Sequence, residues 1–245
     1  FSISNTKDNI NKREFGLIYV TGDTHGKIER LSKSRLKALH EGDTLIILGD
    51  FGFIWNGGKK EEKILKDLGS RRYNICFLDG THENFSLMER YSVSEWKGGK
   101  VQKIYGNLYH LMRGQIYNLG GKMAFVMGGG ESPDIEIREE NSEHARDSLP
   151  RSDELAEGAE NLDKFGYKVD YVFTHEPPAK VKGFLMMSDY DSLKITVLNS
   201  YFDEMSEQIK FDKWYFGSMH EDKFISRTHT ALFKSIVNAE TGEKI

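Results

Sequence analysis

Short apolar runs alternate with longer amphipathic segments from Phe15 onward, and this alternation limits the fold more than any other feature of the sequence. The first three apolar runs read "GLIYVTGD", "DTLIILGD" and "YNICFLDG", and the segments between them include "KIERLSKSRLKALH" and "KKEEKILKDLGS". Strands that alternate with helices are typical of βαβ units and a parallel sheet. Ligands of such sheets bind beyond the carboxyl ends of the strands. We therefore expect the chemistry of this chain where the runs end, at Asp23, at Asp50 and near His82.

The rest of the chain extends this α/β pattern. Residues 98–130 contain short apolar runs interrupted by Gly and Asn, which predicts antiparallel hairpins. Charged segments from 133 to 168 predict helices, "VDYVFTHE" and "DKWYFGSMHED" predict strands, and the amphipathic stretch "DSLKITVLNSYFDEMSEQI" lies between these strands. The last residues, "TALFKSIVNAETGEKI", predict a closing hairpin. The length of 245 residues fits one large domain over 15–245, preceded by a polar tail over 1–14.

Composition argues against several classes of partner. The net charge is -4 and both signs are mixed along the chain, so there is no broad basic field for duplex nucleic acid or an anionic membrane. No apolar run approaches the roughly 18 residues of a membrane span. The single cysteine, Cys76, lies in the apolar run "NICFL" and cannot form an internal disulfide, which predicts a reducing compartment and a cytoplasmic location. The oligomeric state stays open, as does removal of a segment before Phe1.

The first strand ends in the motif "GDTHG", which contains Asp23 and His25. Residues two apart that leave a strand project to the same side, so the two side chains could converge on one cation. Asp, Thr and Gly are also ordinary turn residues, and such a motif alone is a simple loop more often than a metal site. The other strand ends must decide between these readings.

Four further loops carry side chains that bind metals, each at the end of a predicted strand. They are "LGDFG" with Asp50, "LDGTHENF" with Thr81 and His82, "FTHEPP" with His175, and "FGSMHED" with Ser218 and His220. Together with the first motif they hold two aspartates and four histidines, in a chain with eight histidines. Randomly placed surface or core histidines would not concentrate at strand ends. Carboxylate and imidazole donors suit Mn, Fe, Zn or Ni.

The order of these motifs resembles that of the calcineurin-like metallophosphoesterase superfamily. The order is D-x-H, G-D, G-x-H-[DE], a lone His and a closing G-x-x-H, and it spans residues 16–222. The strings "GDFGFIW", "HENF", "HLMRGQ" and "GGGESPDIEIR" are similar to those of a bacterial and phage subgroup. The resemblance implies a four-layer α/β/β/α sandwich. It also implies hydrolysis of a phosphomonoester or phosphodiester, a small molecule or a nucleotide, by a metal-activated water.

The resemblance further implies a pair of divalent metals, with Mn favoured over Fe, Zn and Ni. The first metal would be bound by Asp23, His25 and His220. Asp50 would bridge it to the second metal, which His175 would also bind. The ligand set of the first metal is complete in this chain.

Both departures from the family pattern fall on the second metal. The family's Gly-Asn-His has Thr81 in place of its Asn, and its Gly-His-x-His has Ser218 in place of its first His. Hydroxyls are weak neutral ligands, so we expect one firmly bound metal, a second that is weak or absent, and reduced or redirected activity. Alternatively Glu83, Asn84 or Glu176 replaces the lost ligands.

The residues that would contact substrate are also implied by the resemblance. His82 matches the family histidine that contacts the phosphate or protonates the leaving oxygen, the role of a general acid. Phe53 and Ile54 stand where the family's protein serine/threonine phosphatases have Asp and Arg, which argues against that group. Arg113 or Arg138 could supply the phosphate contact instead, or each could be a surface charge or a structural ion pair.

Two rival functions and several side chains stay open. A degenerate member would bind a phosphorylated ligand or partner without efficient turnover, and a nuclease would act on short single strands. Aromatic residues of the loops would stack a base or pack the core; they are Phe51, Phe53, Trp55 and Phe85. The histidines that match no motif position are His40, His110, His144 and His229.

Overall fold

A computed structural model describes residues 16–131 and 148–245. The polar tail, Arg138, His144 and the first part of the segment expected to be helical from residue 133 lie outside the described residues. The strands are β1 (Ile18–Thr21), β2 (Thr44–Ile47), β3 (Asn74–Phe77), β4 (Val93–Trp96), β5 (Gly99–Tyr105), β6 (Leu108–Leu111), β7 (Gln115–Leu119), β8 (Lys122–Met127), β9 (Tyr171–Thr174), β10 (Lys213–Phe216), β11 (Lys223–Phe224), β12 (His229–Ala231) and β13 (Ile236–Asn238). The α-helices are α1 (Lys59–Gly69), α2 (Phe85–Met88), α3 (Ser152–Lys164), α4 (Ala179–Leu185) and α5 (Val197–Gln208).

The strands form two mixed sheets. One has seven strands in the order β13-β1-β2-β3-β6-β5-β4, and β1, β2, β3 and β6 are parallel in it. The other has six strands in the order β11-β12-β10-β9-β8-β7, and β8, β9, β10 and β12 are parallel in it. The other pairings are antiparallel and lie at the sheet edges. The α/β class and the antiparallel pairs β5–β6 and β7–β8 in the middle of the chain are therefore confirmed.

Three apolar clusters separate the layers of the molecule. Side chains alternate between the faces of a strand, so Ile46 of β2 points between the sheets while its neighbour Ile47 points outward. Ile46 packs there with Val126 of the six-stranded sheet. Ile47 belongs to the cluster that α1 covers, and Trp214 of β10 belongs to the cluster that α3 and α5 cover. The order helix, sheet, sheet, helix is the expected four-layer sandwich.

The parallel strands bring the predicted motifs to one end of the molecule. Loops follow β1, β2 and β3 in one sheet and β9 and β10 in the other, at the carboxyl ends of strands that run in parallel. A backbone carbonyl just after β2 contacts a histidine just after β9, which joins the loops of the two sheets. The loops that carry the predicted motifs thus lie together at the strand ends.

The segment "KIERLSKSRLKALH" was expected to form a helix, and this expectation is wrong. Only the 3₁₀ turn Ile28–Leu31 is helical there, and turns occupy most of the remainder. Arg30 explains the difference, because its guanidinium is buried and donates to the carbonyl oxygens of Asp23 and Phe233. These long-range hydrogen bonds hold the segment against the end of β1, and tertiary contacts override its local helix propensity. Among the described residues, no helix is long and apolar enough to cross a lipid bilayer.

The prediction that the last residues form a closing hairpin is also wrong. β12 pairs with β10 in the six-stranded sheet, whereas β13 crosses over and pairs with β1 in the seven-stranded sheet. The two apolar runs therefore complete different sheets. Only the chain end folds back on itself, through an antiparallel bridge between Val237 and Lys244.

Candidate metal centre

Four side chains from three loops converge at the strand ends. Asp23 and His25 follow β1, Asp50 follows β2 and His220 follows β10. One ligand atom from each lies within 4.8 Å of the other three, a spacing that a single ion can bridge. His220 Nε2 lies 3.0 Å from His25 Nε2 and 3.1 Å from Asp23 Oδ2. The structure thus brings together all four residues predicted around the first metal.

Three of these residues have an unusual backbone conformation. The φ angle is 46° at His25, 43° at Asp50 and 51° at His220, in the left-handed region that residues other than glycine rarely adopt. Such a conformation costs on the order of 1–3 kcal/mol and persists only where the surroundings enforce it. The backbone N–H groups of Thr24 and His25 donate to the Asp50 carbonyl oxygen at 3.2 and 2.8 Å. The loops after β1 and β2 therefore hold each other in place.

Two glycines leave room for the carboxylates. Asp50 Oδ1 lies where a Cβ atom of Gly80 would be, and Asp23 Oδ1 lies where a Cβ atom of Gly217 would be. A larger side chain at either position would displace a carboxylate oxygen. These are the glycines of the G-x-H and G-x-x-H motifs, so close approach accounts for both.

The carboxylate of Asp23 has the surroundings of a cation ligand. Asp23 is fully buried, and neither of its oxygens accepts a hydrogen bond from the described part of the chain. A buried ionised carboxylate is costly unless a cation or hydrogen bonds compensate it. Imidazole nitrogens of His220 and His175 lie 3.1 and 3.6 Å from it. This mixed set of carboxylate and imidazole donors fits a divalent transition metal.

The electrostatics of the cluster favour the protonation states that metal ligands need. Burial alone would raise the pKa of Asp23, but the neighbouring His175 and His220 outweigh it and lower the pKa. Burial also opposes ionisation of Asp50, and His175 and His82 nevertheless hold its pKa well below the ordinary value. Burial lowers the pKa of the His25 imidazole. Ionised carboxylates and a neutral imidazole can bind a cation directly.

His175 lies buried directly after β9, beside two carboxylates. Its Nδ1 lies 2.9 Å from the Leu48 carbonyl oxygen, which can only accept, so Nδ1 donates. Its Nε2 lies 3.7 Å from Asp50 Oδ1. One ring nitrogen fixed by a carbonyl is typical of histidines that bind metals. Burial disfavours a charge on His175, but Asp50 and Asp23 raise its pKa well above the ordinary value.

His82 lies next to the cluster and is anchored to Asp50. Its backbone N–H donates to Asp50 Oδ1 at 2.8 Å, and its Nδ1 donates to Asp50 Oδ2 at 3.1 Å. The His82 side chain is well exposed, whereas Asp50 is buried. The Asp50 carboxylate therefore fixes the orientation of the His82 ring through Nδ1.

The two hydroxyls at the second-metal positions have different surroundings. Thr81 Oγ1 lies 3.0 Å from His82 Nδ1. Ser218 Oγ is buried and has no hydrogen-bond partner in residues 16–131 and 148–245. A buried hydroxyl without a partner is a defect that a ligand or a water would relieve. The second-metal side is thus polar but carries few good ligands.

All three expected substitutes for the lost ligands already have protein partners. Glu83 accepts hydrogen bonds from the backbone N–H groups of Phe51 at 2.6 Å and Gly52 at 3.4 Å. Asn84 caps α2 by accepting from the Leu87 N–H at 3.1 Å. Glu176 is paired with Lys182 at 3.0 Å, but unlike Glu83 and Asn84 it lies in the wall of the cavity beside the cluster.

A comparison with known protein families identifies the family of this chain. The model of the calcineurin-like phosphoesterase family matches residues 16–222. The chain belongs to this family. A solved structure of a protein of unknown function from Aquifex aeolicus is similar to it, with 17% identity, a TM-score of 0.33, and coverage of 66% of this chain and 80% of that chain. No curated protein matches the chain.

In this member of the phosphoesterase family, a cavity of about 350 Å³ opens beside the cluster of metal-ligand candidates. Its wall contains the site residues Asp50, His82, His175 and His220. It also contains Lys182 of α4 and Lys194, which no motif of the sequence had marked. The volume is within the range of sites for small molecules. A phosphate ester that enters this cavity would meet the metal-ligand cluster on one side and lysine side chains on another.

Arg113 lies in a buried ion pair rather than in this cavity wall. Its Nη2 lies 2.6 Å from Asp79 Oδ2 and its Nη1 lies 3.0 Å from Glu154 Oε2. It also donates to the carbonyl oxygens of Ser148 and Leu149. These contacts favour the structural ion pair that the sequence left open. A phosphate contact by Arg113 stays a prediction without support in this geometry.

Asp79 connects Arg113 to the loop that carries His82. Asp79 Oδ1 lies 3.2 Å from His110 Nε2, and His110 Nδ1 lies 2.8 Å from Gln102 Oε1. Burial opposes ionisation of Asp79, but Arg113 and His110 hold its pKa well below the ordinary value. Sequence analysis missed this network, because an aspartate at a strand end has the same local signal as a turn residue.

Two of the four loop aromatics pack in the core. Phe51 is fully buried and its ring stacks on Phe77, with the ring centroids 4.0 Å apart, and Phe53 packs on Phe51. The guanidinium of Arg113 lies over the Phe85 ring. Trp55 is exposed. The core-packing reading therefore holds for Phe51 and Phe53.

Proposed function

We propose that this chain is a metal-dependent phosphoesterase that hydrolyses a phosphomonoester or a phosphodiester. The observation that carries the proposal is the fully buried Asp23 carboxylate, without hydrogen-bond donors among the described residues, inside a cluster with His25, Asp50 and His220. Membership of the calcineurin-like phosphoesterase family supports the same reading. A divalent cation at this cluster would supply positive charge to the phosphoryl oxygens and acidity to a water.

In this proposal His82 donates the proton that the leaving oxygen needs. Asp50 accepts the Nδ1–H of His82, which orients the ring. In this role the proton would pass from Nε2 of His82 to the leaving oxygen. Thr81, which also lies against Nδ1, restricts rotation of the same ring.

We further propose that one cation binds firmly and a second binds weakly, with Mn the favoured metal. The firm site consists of Asp23, His25, Asp50 and His220. On the other side, His175 and Asp50 are the good ligands, and Ser218 offers only a neutral hydroxyl oxygen. The number and charge of ligands set the affinity for a cation, which supports an unequal pair of sites.

A second candidate function is binding of a phosphorylated ligand without efficient turnover. The unpartnered Ser218 hydroxyl favours it, because a polar cavity that lacks the second set of ligands can hold an anion without activating it. A nuclease on short single strands stays a less favoured prediction. Among the described residues that line the cavity there is no Phe, Tyr or Trp to stack a base.

Metal analysis combined with a hydrolysis assay tests the proposal. Protein purified without chelator should carry about one equivalent of a transition metal and hydrolyse 4-nitrophenyl phosphate or bis(4-nitrophenyl) phosphate. Chelation should abolish turnover, and added Mn should restore it. Bound metal without hydrolysis of either ester would favour the binding function. Absence of both metal and turnover would overturn the proposal.

A further inference from the structure

The cavity contains an ion pair on the side where the family's second-metal ligands are missing. Lys182 Nζ lies 3.0 Å from Glu176 Oε2. Both side chains are largely buried, with exposed fractions of 13% and 9%. A lysine that loses most of its hydration must be compensated by partners of good geometry. The pair therefore has a defined position, unlike a surface lysine.

Asn199 fixes this position from the neighbouring helix. It donates from Nδ2 to Glu176 Oε2 at 3.1 Å, and its Oδ1 accepts from Lys182 Nζ at 3.2 Å. Asn199 is itself fully buried at the start of α5, where Thr196 caps the helix and donates to the same Oδ1. An ammonium has three protons, and the described residues supply acceptors for two of them.

The ion pair borders the positions at which this chain departs from its family. Glu176 directly follows His175 in sequence. Thr81 Cγ2 and Glu176 Oε1 flank one point beside Gly130, at 2.9 and 3.3 Å from where a Cβ of that glycine would be. Thr81 stands where the family has an asparagine ligand. Lys182 lines the same cavity as His82, His175 and Ser218.

We propose that Lys182 binds the substrate phosphate on the side where a second cation would otherwise bind. This inference rests on the proposed function. A phosphoryl group between a cation at Asp23 and the Lys182 ammonium would have positive charge on both sides. Its oxygens would accept the third ammonium proton, in a charge-assisted hydrogen bond that is strong because the site is largely buried. Lys182 would thus take over part of the task of the second metal.

Lys194 is the other lysine of the cavity wall, and it is less suited to this role. It pairs with Glu131 at 2.8 Å, and its side chain is 61% exposed. Exposed ion pairs contribute little because water screens them. The difference in burial between Lys182 and Lys194 therefore singles out Lys182.

Inorganic phosphate is the probe, and binding rather than turnover is the readout. The test variant is Lys182→Gln combined with Glu176→Gln, which removes both charges together and keeps hydrogen-bonding groups beside Asn199. The matched control is Lys180→Gln on the same helix. Lys180 also pairs with a glutamate, Glu207 at 2.7 Å, but it is 73% exposed and outside the cavity wall that the structure describes.

Calorimetric titration of phosphate into the Mn-loaded proteins gives the answer. The double variant should bind phosphate roughly ten- to a hundredfold more weakly than the parent, with unchanged metal content, and Lys180→Gln should match the parent. Lys182→Arg, which keeps the charge, should recover part of the affinity. Near-ultraviolet circular dichroism checks folding, and Lys182→Gln alone serves if the double variant does not fold.

An affinity for phosphate that is unchanged in a folded, metal-loaded variant would show that Lys182 is only a structural ion pair. Failure of the proposed function has a different signature, because the parent would then hydrolyse no ester although its phosphate affinity still depended on Lys182. Kinetics add a second criterion where turnover exists. The Lys182 variant should raise KM more than it lowers kcat, and phosphate should inhibit it less.

Discussion

The two sides of the proposed metal centre share one scaffold and differ in their ligand chemistry. On one side Asp23, His25, Asp50 and His220 converge to within 4.8 Å. On the other, His175 is held just as firmly by the Leu48 carbonyl, but the neighbouring side chain is the hydroxyl of Ser218. The loops of both sides follow the carboxyl ends of parallel strands, so the fold positions the backbone of both sides. Ligand position thus follows from the fold, whereas cation affinity depends on single side chains.

Removal of His25 should have the largest effect, because the complete side then loses a ligand. His25→Ala should lower bound metal and reduce turnover by more than about 10³-fold, since each 1.36 kcal/mol of lost stabilisation is tenfold in rate. Metal analysis and an esterase assay measure both effects. His25→Asn is the companion variant, because asparagine tolerates the left-handed backbone at this position. His40→Ala, an exposed histidine, is the control. If His25→Ala kept the metal content and turnover of the parent, the proposed metal site at His25 would be wrong.

Removal of His82 should separate catalysis from metal binding. His82→Ala should leave the metal content nearly unchanged and reduce turnover by roughly 10²–10⁴-fold, the usual contribution of a general acid. The loss should be smaller for an ester whose leaving group needs no proton, such as a nitrophenolate, than for an alkyl ester. If metal were lost together with activity, His82 would be a ligand and the two sides would be less distinct than we propose.

Restoring the family ligands should make the two sides more alike. The double variant Thr81→Asn with Ser218→His completes the ligand set beside Asp50 and His175. We expect a second equivalent of Mn to bind about 10–100-fold more tightly than in the parent, with faster hydrolysis of a diester. Calorimetry with Mn and steady-state kinetics measure the two gains. A parent that already holds two metals tightly and turns over rapidly would end the distinction between the sides.

The smallest expected effect is a pH dependence of Mn uptake by the metal-free protein. Because the pKa of His175 is raised, its imidazole carries a proton at neutral pH. An incoming cation would compete with this charged imidazole for the carboxylates of Asp50 and Asp23. Uptake should therefore weaken as pH falls from 8 to 6 and strengthen as pH rises through the His175 pKa. One proton contributes at most about tenfold per pH unit.

Mn titrations at several pH values, with His175→Asn as the comparison, measure this effect. The variant should lose part of the slope. The same slope in parent and variant would assign the pH dependence to other ligands.

Sequence patterns predicted the parts of the molecule that depend on local signals. Apolar runs that end in Asp or His predicted β1, β2, β3, β9 and β10. The cluster residues could be predicted with them, because the turn residues directly follow the strands in sequence. The 27–40 segment failed because Arg30 is fixed by the Asp23 and Phe233 carbonyl groups, and Phe233 is distant in sequence. The prediction of a closing hairpin was wrong because β12 and β13 each pair with the edge of a different sheet instead of with each other.

The residues of the second side were the hardest to predict. Lys182 and Asn199 belong to helices that carry no motif, and they meet Glu176 only after the α4–α5 region folds over β9 and β10. An ion pair of this kind has no signature at fixed spacing in the sequence. Arg113 is the opposite case, since its conspicuous motif suggested substrate and the structure places it against Asp79.

The crossing of the chain end between the sheets has a consequence for protein production. β13 shields the edge of β1, β12 shields the edge of β10, and both lie beyond residue 222, where the family match ends. A chain trimmed to that match would keep every residue that we propose as a metal ligand. It would also expose two bare strand edges whose open N–H and C=O groups are templates for intermolecular pairing. We expect such a trimmed protein to aggregate before its hydrolytic activity can be measured. The shortest chain that can be produced is therefore set by solubility and not by activity.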